Sequence, residues 1–399
     1  MGPRLLQINV TANWGSHGRI AEDIALGAQK EGWTTAMAYG RHMTPSAQHL
    51  FRVGSRFDVY RHVAETRLFD RHGLASVAPT KALVSYIGDY NPDIIHLHNI
   101  HGYYLNYPLL FDFLKSWGGP VVWTLHDCWP FTGHCAYFEY AHCDRWKTLC
   151  HDCPEKRSYP KSSLIDNSTA NYNLKRHYFR LIKDRLTLVP VSSWLAGIAG
   201  QSFLSDCRCE VIHNGIDTDQ FSPCAQKDTD PRIVLGVASV WDRRKGLDDF
   251  CKLAALLPDG YRIVLIGLSR KQIKSLPQGI LGLERTADIA ELARWYSRAS
   301  VFVNPTKEDT FPTTNIEALA CGTPVVTYRS GGAPETIGSG TGIVVGKDDV
   351  NALAGAVLRI TAPDGKYTPD ACRQRALQNY RRERCCNDYL DLYRRILAL

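Results

Sequence analysis

The chain has 399 residues, 44% hydrophobic and 22% charged, an ordinary globular usage that excludes wholesale disorder. Forty-seven Lys and Arg against forty Asp and Glu leave a net charge of +7, suited to phosphates or an anionic membrane surface and too small to point to nucleic acid. No apolar run approaches the ~18 residues that span a bilayer, no signal-peptide core opens the chain, and thirteen cysteines, an odd number, argue against a disulfide framework; the expectation is a cytoplasmic enzyme of two or three domains.

Residues 5–10 predict a first strand, and 11–18 a loop into a helix over 18–31. Gly15 and Gly18 in that loop permit close backbone approach to a ligand, although a plain strand–helix turn needs none. Further strands are predicted at 35–38, 94–97, 121–125, 186–190 and 210–213, with a helix over 109–117. His96, His98, Asn99 and His101 follow the third of these strands, and His126 and Asp127 follow the fourth. The carboxyl ends of strands are where open α/β sheets place their site groups. His96 and His98 are read as structural; Asn99, His101 and Asp127 are candidate ligand-facing groups.

Cys135, Cys143, Cys150 and Cys153 follow as C-x7-C-x6-C-x2-C in an aperiodic segment of about 128–160. Four thiolates so spaced can close around one tetrahedral metal, and a structural zinc is the preferred reading, with free thiols or disulfides as alternatives. Lys175, Arg176, Arg180, Lys183 and Arg185 then crowd one stretch. It reads as a membrane-facing surface or as a solvated helix face. Arg52, Arg56, Arg61, Arg67 and Arg71 make a second basic stretch.

A polar segment over 217–230 reads as a linker to a second series of strands at 233–238, 262–266, 301–304, 324–328 and 341–345, with helices between them. Strand–helix alternation in both halves predicts two parallel sheets covered on both faces. Residues 304–326 run from a strand through a polar loop into a helix and back to a strand, an arrangement that offers helix N–H groups to an anion. Asp309 and Glu317 stand eight positions apart there and are suited to sugar or ribose hydroxyls; the plainer alternative has Asp309 capping the helix and Glu317 merely exposed. The end of the chain, 381–399, is a charged amphipathic helix expected to pack back on the first domain.

The block from Asp309 to Val326 resembles the retaining glycosyltransferases of family 4, whose signature is E-x7-E followed by A-x-A-x-G-x-P-V, with Asp309 in place of the first Glu. Asn214-Gly215-Ile216-Asp217 is similar to the family's NGVD segment, Lys245-Gly246 to its donor-phosphate lysine, and Gly331-Gly332-Ala333-Pro334-Glu335 to its GGxPE turn. The resemblance implies the GT-B architecture: α/β, with two Rossmann-like domains facing across a cleft, a Cys-rich insertion in the first, and boundaries at 1–216, 217–380 and 381–399. It implies a retaining hexosyltransferase that takes its sugar from a UDP- or GDP-sugar and needs no catalytic divalent metal.

By the same resemblance, Glu317 holds the ribose and Asp309 meets donor-sugar hydroxyls. Lys245, with Arg243 or Arg244, neutralises the pyrophosphate; amides near Thr313 and Thr314 add to this, and Thr310 and Phe311 complete the donor loop. Gly15 and Gly18 face the donor phosphates or the acceptor, His126 contacts the reacting sugar, and Asn99, His101 and Asp127 fall on the acceptor side. The family's Arg five residues before the Lys is Val240 here, and its E-G-F-G becomes Asp309-Thr310-Phe311-Pro312, where Pro312 lacks an N–H.

The segment with Trp146-Lys147-Thr148 and the Cys150/Cys153 pair is similar to exopolysaccharide glycosyltransferases of the colanic-acid type. It implies a growing bacterial surface glycan, polyprenyl-linked, as acceptor, and peripheral placement at the inner face of the cytoplasmic membrane. A catalytically inactive nucleotide-binding module, stapled by zinc, and a nucleotide-sugar epimerase are the alternative functions.

Overall fold

The computed structural model describes residues 2–224, 226–228, 231–363 and 365–398. The chain divides into two compact units, one of Met1–His213 with Cys385–Leu399, the other of Asn214–Arg384. Each is built on a parallel sheet.

The first unit holds β1 (Arg4–Asn9), β2 (Thr34–Tyr39), β3 (His49–Arg52), β4 (Ile94–Leu97), β5 (Val121–Leu125), β6 (Leu186–Pro190) and β7 (Arg208–Cys209). Their order in the sheet is β3-β2-β1-β4-β5-β6-β7. β4 and β5 are buried along their whole length, as continuous apolar strands must be when helices cover both faces. The helix Arg382–Leu397 supplies Tyr389, Leu392 and Tyr393 to a core with Leu5, Ile94 and Val122. Its hydroxyls are satisfied there: Tyr389 pairs with Thr124 Oγ1 at 2.7 Å and Tyr393 with His96 Nδ1 at 2.6 Å. Replacing Tyr393 by Phe leaves His96 Nδ1 buried without a partner, and the expected loss is about 1–3 kcal/mol in urea unfolding. An unchanged unfolding midpoint would show that the bond contributes nothing.

The second unit holds β8 (Arg232–Val237), β9 (Tyr261–Ile266), β10 (Ile280–Leu283), β11 (Val301–Asn304), β12 (Val325–Tyr328) and β13 (Gly342–Val345), ordered β10-β9-β8-β11-β12-β13. Val234, Leu265, Val303 and Val326 form its core with Phe250 and Val357 from the covering helices.

Several expectations need correction. The short strands β3 and β10 were not anticipated: His49 and Gly282, at edge positions, break the apolar pattern. Residues 210–213 lie outside any strand, because the last strand of the first sheet is only Arg208–Cys209. The first helix is Gly15–Lys30, so Gly18 sits inside it rather than in a loop. A Cβ there would meet Thr11 Oγ1 at 2.7 Å, so the glycine serves helix–turn packing. The expected linker 217–230 is held to the body of its unit: Arg298 pairs with Asp228, and Lys227 Nζ donates to Ala299 O and Thr323 Oγ1. Ala225, Thr229 and Asp230 of that segment lie outside the described residues.

Candidate active site

In each sheet the strand order reverses once, between β1 and β4 in the first unit and between β8 and β11 in the second. The crevice outside the carboxyl ends at such a reversal is where open parallel sheets bind ligands. Gly15 follows β1 and His98, Asn99 and His101 follow β4, while Arg243, Arg244 and Lys245 follow β8 and Asp309 follows β11.

In the second unit, Asp242 Oδ1 accepts from Lys245 N at 3.1 Å and shapes the turn Arg243–Lys245 after β8. Gly246 closes it at φ 75°, with the site of a missing Cβ only 2.4 Å from Pro305 O. Arg244 accepts Lys307 N–H at its carbonyl (2.7 Å), and its guanidinium donates to Glu308 O at 2.8 Å. These bonds dock the Lys-Gly turn onto the loop that follows β11. Lys245 Nζ meets Asp309 Oδ2 at 2.5 Å. Burial would raise the Asp309 carboxyl, but the charges of Lys245 and Arg244 outweigh it and hold the group below the usual aspartate range. The turn after β12 completes the site, with Gly332 N–H donating to Asp309 O at 2.9 Å.

The helix Thr313–Ala320 starts at this spot with Pro312 as its N-cap and no side-chain cap, so its amide dipoles face the Lys245–Asp309 region unmasked. Glu317 lies one turn further, half-buried, and accepts from Tyr296 OH at 2.9 Å. Sequence reading did not find that partner; only the packing of the helix Ile289–Arg298 on Thr313–Ala320 reveals it. Nor did it find the Lys245–Asp309 ion pair, having given the two residues separate tasks. Thr310 and Phe311 are buried behind the loop, and Phe311 N–H donates to Asp309 Oδ1 at 3.2 Å, so they support the carboxylate. Arg243 is exposed, Arg244 half-buried, and Val240 is 66% exposed.

In the first unit a chain of hydrogen bonds sets the tautomers. Gln7 Nε2 donates to Ala21 O at 2.7 Å, which leaves Oε1 to accept from His98 Nε2–H at 2.8 Å. His98 Nδ1 is then the acceptor for His126 Nε2–H at 3.2 Å. Burial first, and neighbouring imidazoles second, hold His98 and His126 well below the ordinary histidine pKa, so both stay neutral. His17 is pushed down to about 4 by burial, and its Nδ1 receives Asn9 Nδ2 at 3.1 Å. His101 Nε2 pairs with Asp127 Oδ2 at 2.9 Å, and Tyr159 OH meets its Nδ1 at 2.9 Å. Burial raises the Asp127 carboxyl, but His101 and the Trp129 N–H bring it below the usual range. Asn99 is half-buried beside Asn9, whose Oδ1 accepts its N–H at 3.3 Å. His96 and His98 are fully buried. Gly15 opens the first helix at φ 71° with nothing near its α-carbon face.

Two glycosyltransferase family models match the chain: Glycosyltransferase Family 4 over residues 17–220 and Glycosyl transferases group 1 over 231–362. The chain belongs to glycosyltransferase family 4. It is 23% identical to the putative colanic acid biosynthesis glycosyl transferase WcaC of Escherichia coli K12, with 98% of this chain and all of that one aligned. Among solved structures it is similar to the sucrose-phosphate synthase of Thermosynechococcus elongatus (TM-score 0.75, 19% identity, 99% of both chains). It is also similar to Anabaena Alr3699/HepE in complex with UDP-glucose (TM-score 0.63, 15% identity, 98% and 99%). The paired Rossmann-like units are those of a GT-B glycosyltransferase.

One further expectation changes. The basic stretch 175–185 does not form one surface of this glycosyltransferase. Lys175 is 1% exposed and lies over the Trp129 ring, 3.4 Å from its centroid; Arg180 and Lys183 pair with Asp206, and Arg185 donates to Leu114 O and Lys115 O. The helix Ser168–Arg180 carries only Lys175, Arg176 and Arg180 of this stretch; Lys183 and Arg185 lie on the 3-10 turn that follows it. No described helix is long and apolar enough to cross a membrane. As the side chains stand, no three described His, Cys, Asp or Glu residues are grouped to hold a metal ion.

Proposed function

We propose that this glycosyltransferase moves a hexose, with retention of configuration, from a nucleoside diphosphate sugar to a growing, lipid-linked bacterial surface glycan. The observation that carries the reading is the Lys245–Asp309 pair at the strand-order reversal of the second unit, beside an uncapped helix start. A departing nucleoside diphosphate gains negative charge as the glycosidic bond breaks. Lys245, Arg244 and the amides of Thr313 and Thr314 are the positive groups arranged to receive it. Glu317, oriented by Tyr296, is suited to accept from ribose hydroxyls, and Asp309 from hydroxyls of the transferred sugar.

Retention on one face of the sugar lets the leaving phosphate take the acceptor proton. His126, neutral and hydrogen-bonded to His98, then positions a hydroxyl rather than serving as the base, while Asn99, His101 and Asp127 line the acceptor side. The HepE complexes with UDP and UDP-glucose support a uridine donor, and the likeness to WcaC supports an exopolysaccharide acceptor. Arg52, Arg56, Arg61 and Arg67 are exposed on the first unit and give the basic surface for an anionic membrane that presents such an acceptor.

Calorimetry with UDP, GDP and ADP, each alone and as its hexose conjugate, tests the donor side. One nucleotide is expected to bind, with Glu317→Gln weakening it about 10- to 100-fold through loss of a charged hydrogen bond. Binding of none of them, or equal binding by the variant, overturns the assignment.

A further inference from the structure

Between Leu125 and Ser168 the chain forms only two short 3-10 turns, Trp129–Phe131 and Arg145–Lys147. Phe138 stacks on Trp146 with ring centres 4.8 Å apart, and Phe131 lies 5.6 Å from the same ring. A segment of this length without regular structure needs something else to order it. Beside those rings is a cavity lined by Cys135, Cys143, Cys150 and Cys153. Cys135 and Cys150 are buried, Cys143 and Cys153 half-buried, and none is in a disulfide. Cys135 and Cys153 already touch through a hydrogen bond.

Gly133 N–H donates to Cys150 Sγ at 3.2 Å, and the ammonium of Lys175 is buried nearby, held by Trp129 O and Thr132 O. His134 lines the same cavity, its Nδ1 fixed by Asp70 Oδ1 at 2.5 Å, while its Nε2 is buried with no hydrogen-bond partner. An orphaned polar atom in a pocket of thiols marks a place built around something more than thiols.

We propose that Cys135, Cys143, Cys150 and Cys153 bind one zinc ion as four thiolates and that this ion orders the segment between Leu125 and Ser168. Binding releases four thiol protons to solvent and forms four Zn–S bonds, with no change of oxidation state. The thiols turn inward to close the tetrahedron, since as placed they are not yet grouped around a common point. Four sulfurs leave no coordination position for water, so the ion is structural. The dianionic centre is balanced by Lys175 and by the Gly133 N–H.

The test is metal analysis of the full chain produced with zinc in the medium, beside a Cys150→Ser/Cys153→Ser variant and a Cys209→Ser/Cys224→Ser control. The proposal expects about one zinc per chain, kept by the control and lost by the first variant. Should that variant fail to fold, the unaltered protein decides. A chelator strong enough to strip zinc is expected to expose four additional thiols to a thiol reagent and to lower the melting temperature. Chains that carry well under one zinc, four thiols reactive before chelation, a mass showing oxidised pairs, or zinc retained by Cys150→Ser/Cys153→Ser would each overturn it.

Discussion

Lys245→Ala is expected to lower kcat/KM for sugar transfer about 100- to 1000-fold, the range seen when one group that receives transition-state charge is removed. Lys245 reaches the Asp309 carboxylate with its ammonium at 2.5 Å, and it stands where a leaving diphosphate would meet the helix Thr313–Ala320. The substitution also leaves Asp309 without its main counter-charge. Because the two side chains are 21% and 15% exposed, the stability loss is expected to be about 1–2 kcal/mol, below that of a fully buried pair.

The pH dependence has a definite sign. Asp309 has its folded-state pKa depressed, so the pair contributes stability at pH values above the ordinary aspartate range and loses it as pH falls through the lowered value. The wild type and Lys245→Ala should therefore differ most in urea unfolding near neutrality and converge in acid. A variant that keeps full activity would remove Lys245 from the leaving-group role, and parallel pH curves would show that Asp309 is not held by that charge.

Gly331→Ala is expected to cost about 3 kcal/mol or more, and with it most nucleotide binding. Gly331 sits at φ 54°, and a Cβ there would lie 1.9 Å from Asp309 O. An L residue in the left-handed region costs about 1–2 kcal/mol in any setting. Here the clashing atom is backbone and belongs to the residue whose carboxylate faces Lys245, so relief of the clash moves the site. Gly340→Ala is the control: its φ is 71°, but the nearest atom to its Cβ is Lys366 O at 3.6 Å, so only the conformational term applies. Equal thermal shifts in the two variants would show that the close approach to Asp309 is tolerated. A larger shift and weaker nucleotide binding in Gly331→Ala alone would show that the GGxPE turn shapes the site.

Local pattern carried much of this molecule. The buried strands β4, β5 and β11 were predicted with their bounds because β-branched and apolar runs of strand length between turn residues have few other ways to fold. Edge strands were missed for the converse reason: β3, with Leu50 and Phe51 half-buried and its ends exposed, has little apolar signal and exists by pairing with β2. Lys175 shows the same limit for charge. In sequence it belongs to a basic cluster, yet the fold buries it against Trp129, because two carbonyls and an aromatic face compensate it there.

The chain's residues were enough to determine the alternation of elements and the family motifs, since each rests on neighbours within one or two turns. Contacts across long stretches of chain were decided only in three dimensions. Lys245 and Asp309 are sixty-four positions apart, Tyr296 and Glu317 twenty-one, and Tyr393 and His96 nearly three hundred. The first pairing depends on strand order, which places β8 beside β11, and the other two on the packing of helices. Side-chain ionisation follows the same rule: an aspartate or histidine has an ordinary pKa in an open chain, and only burial and the charges packed against it move that value.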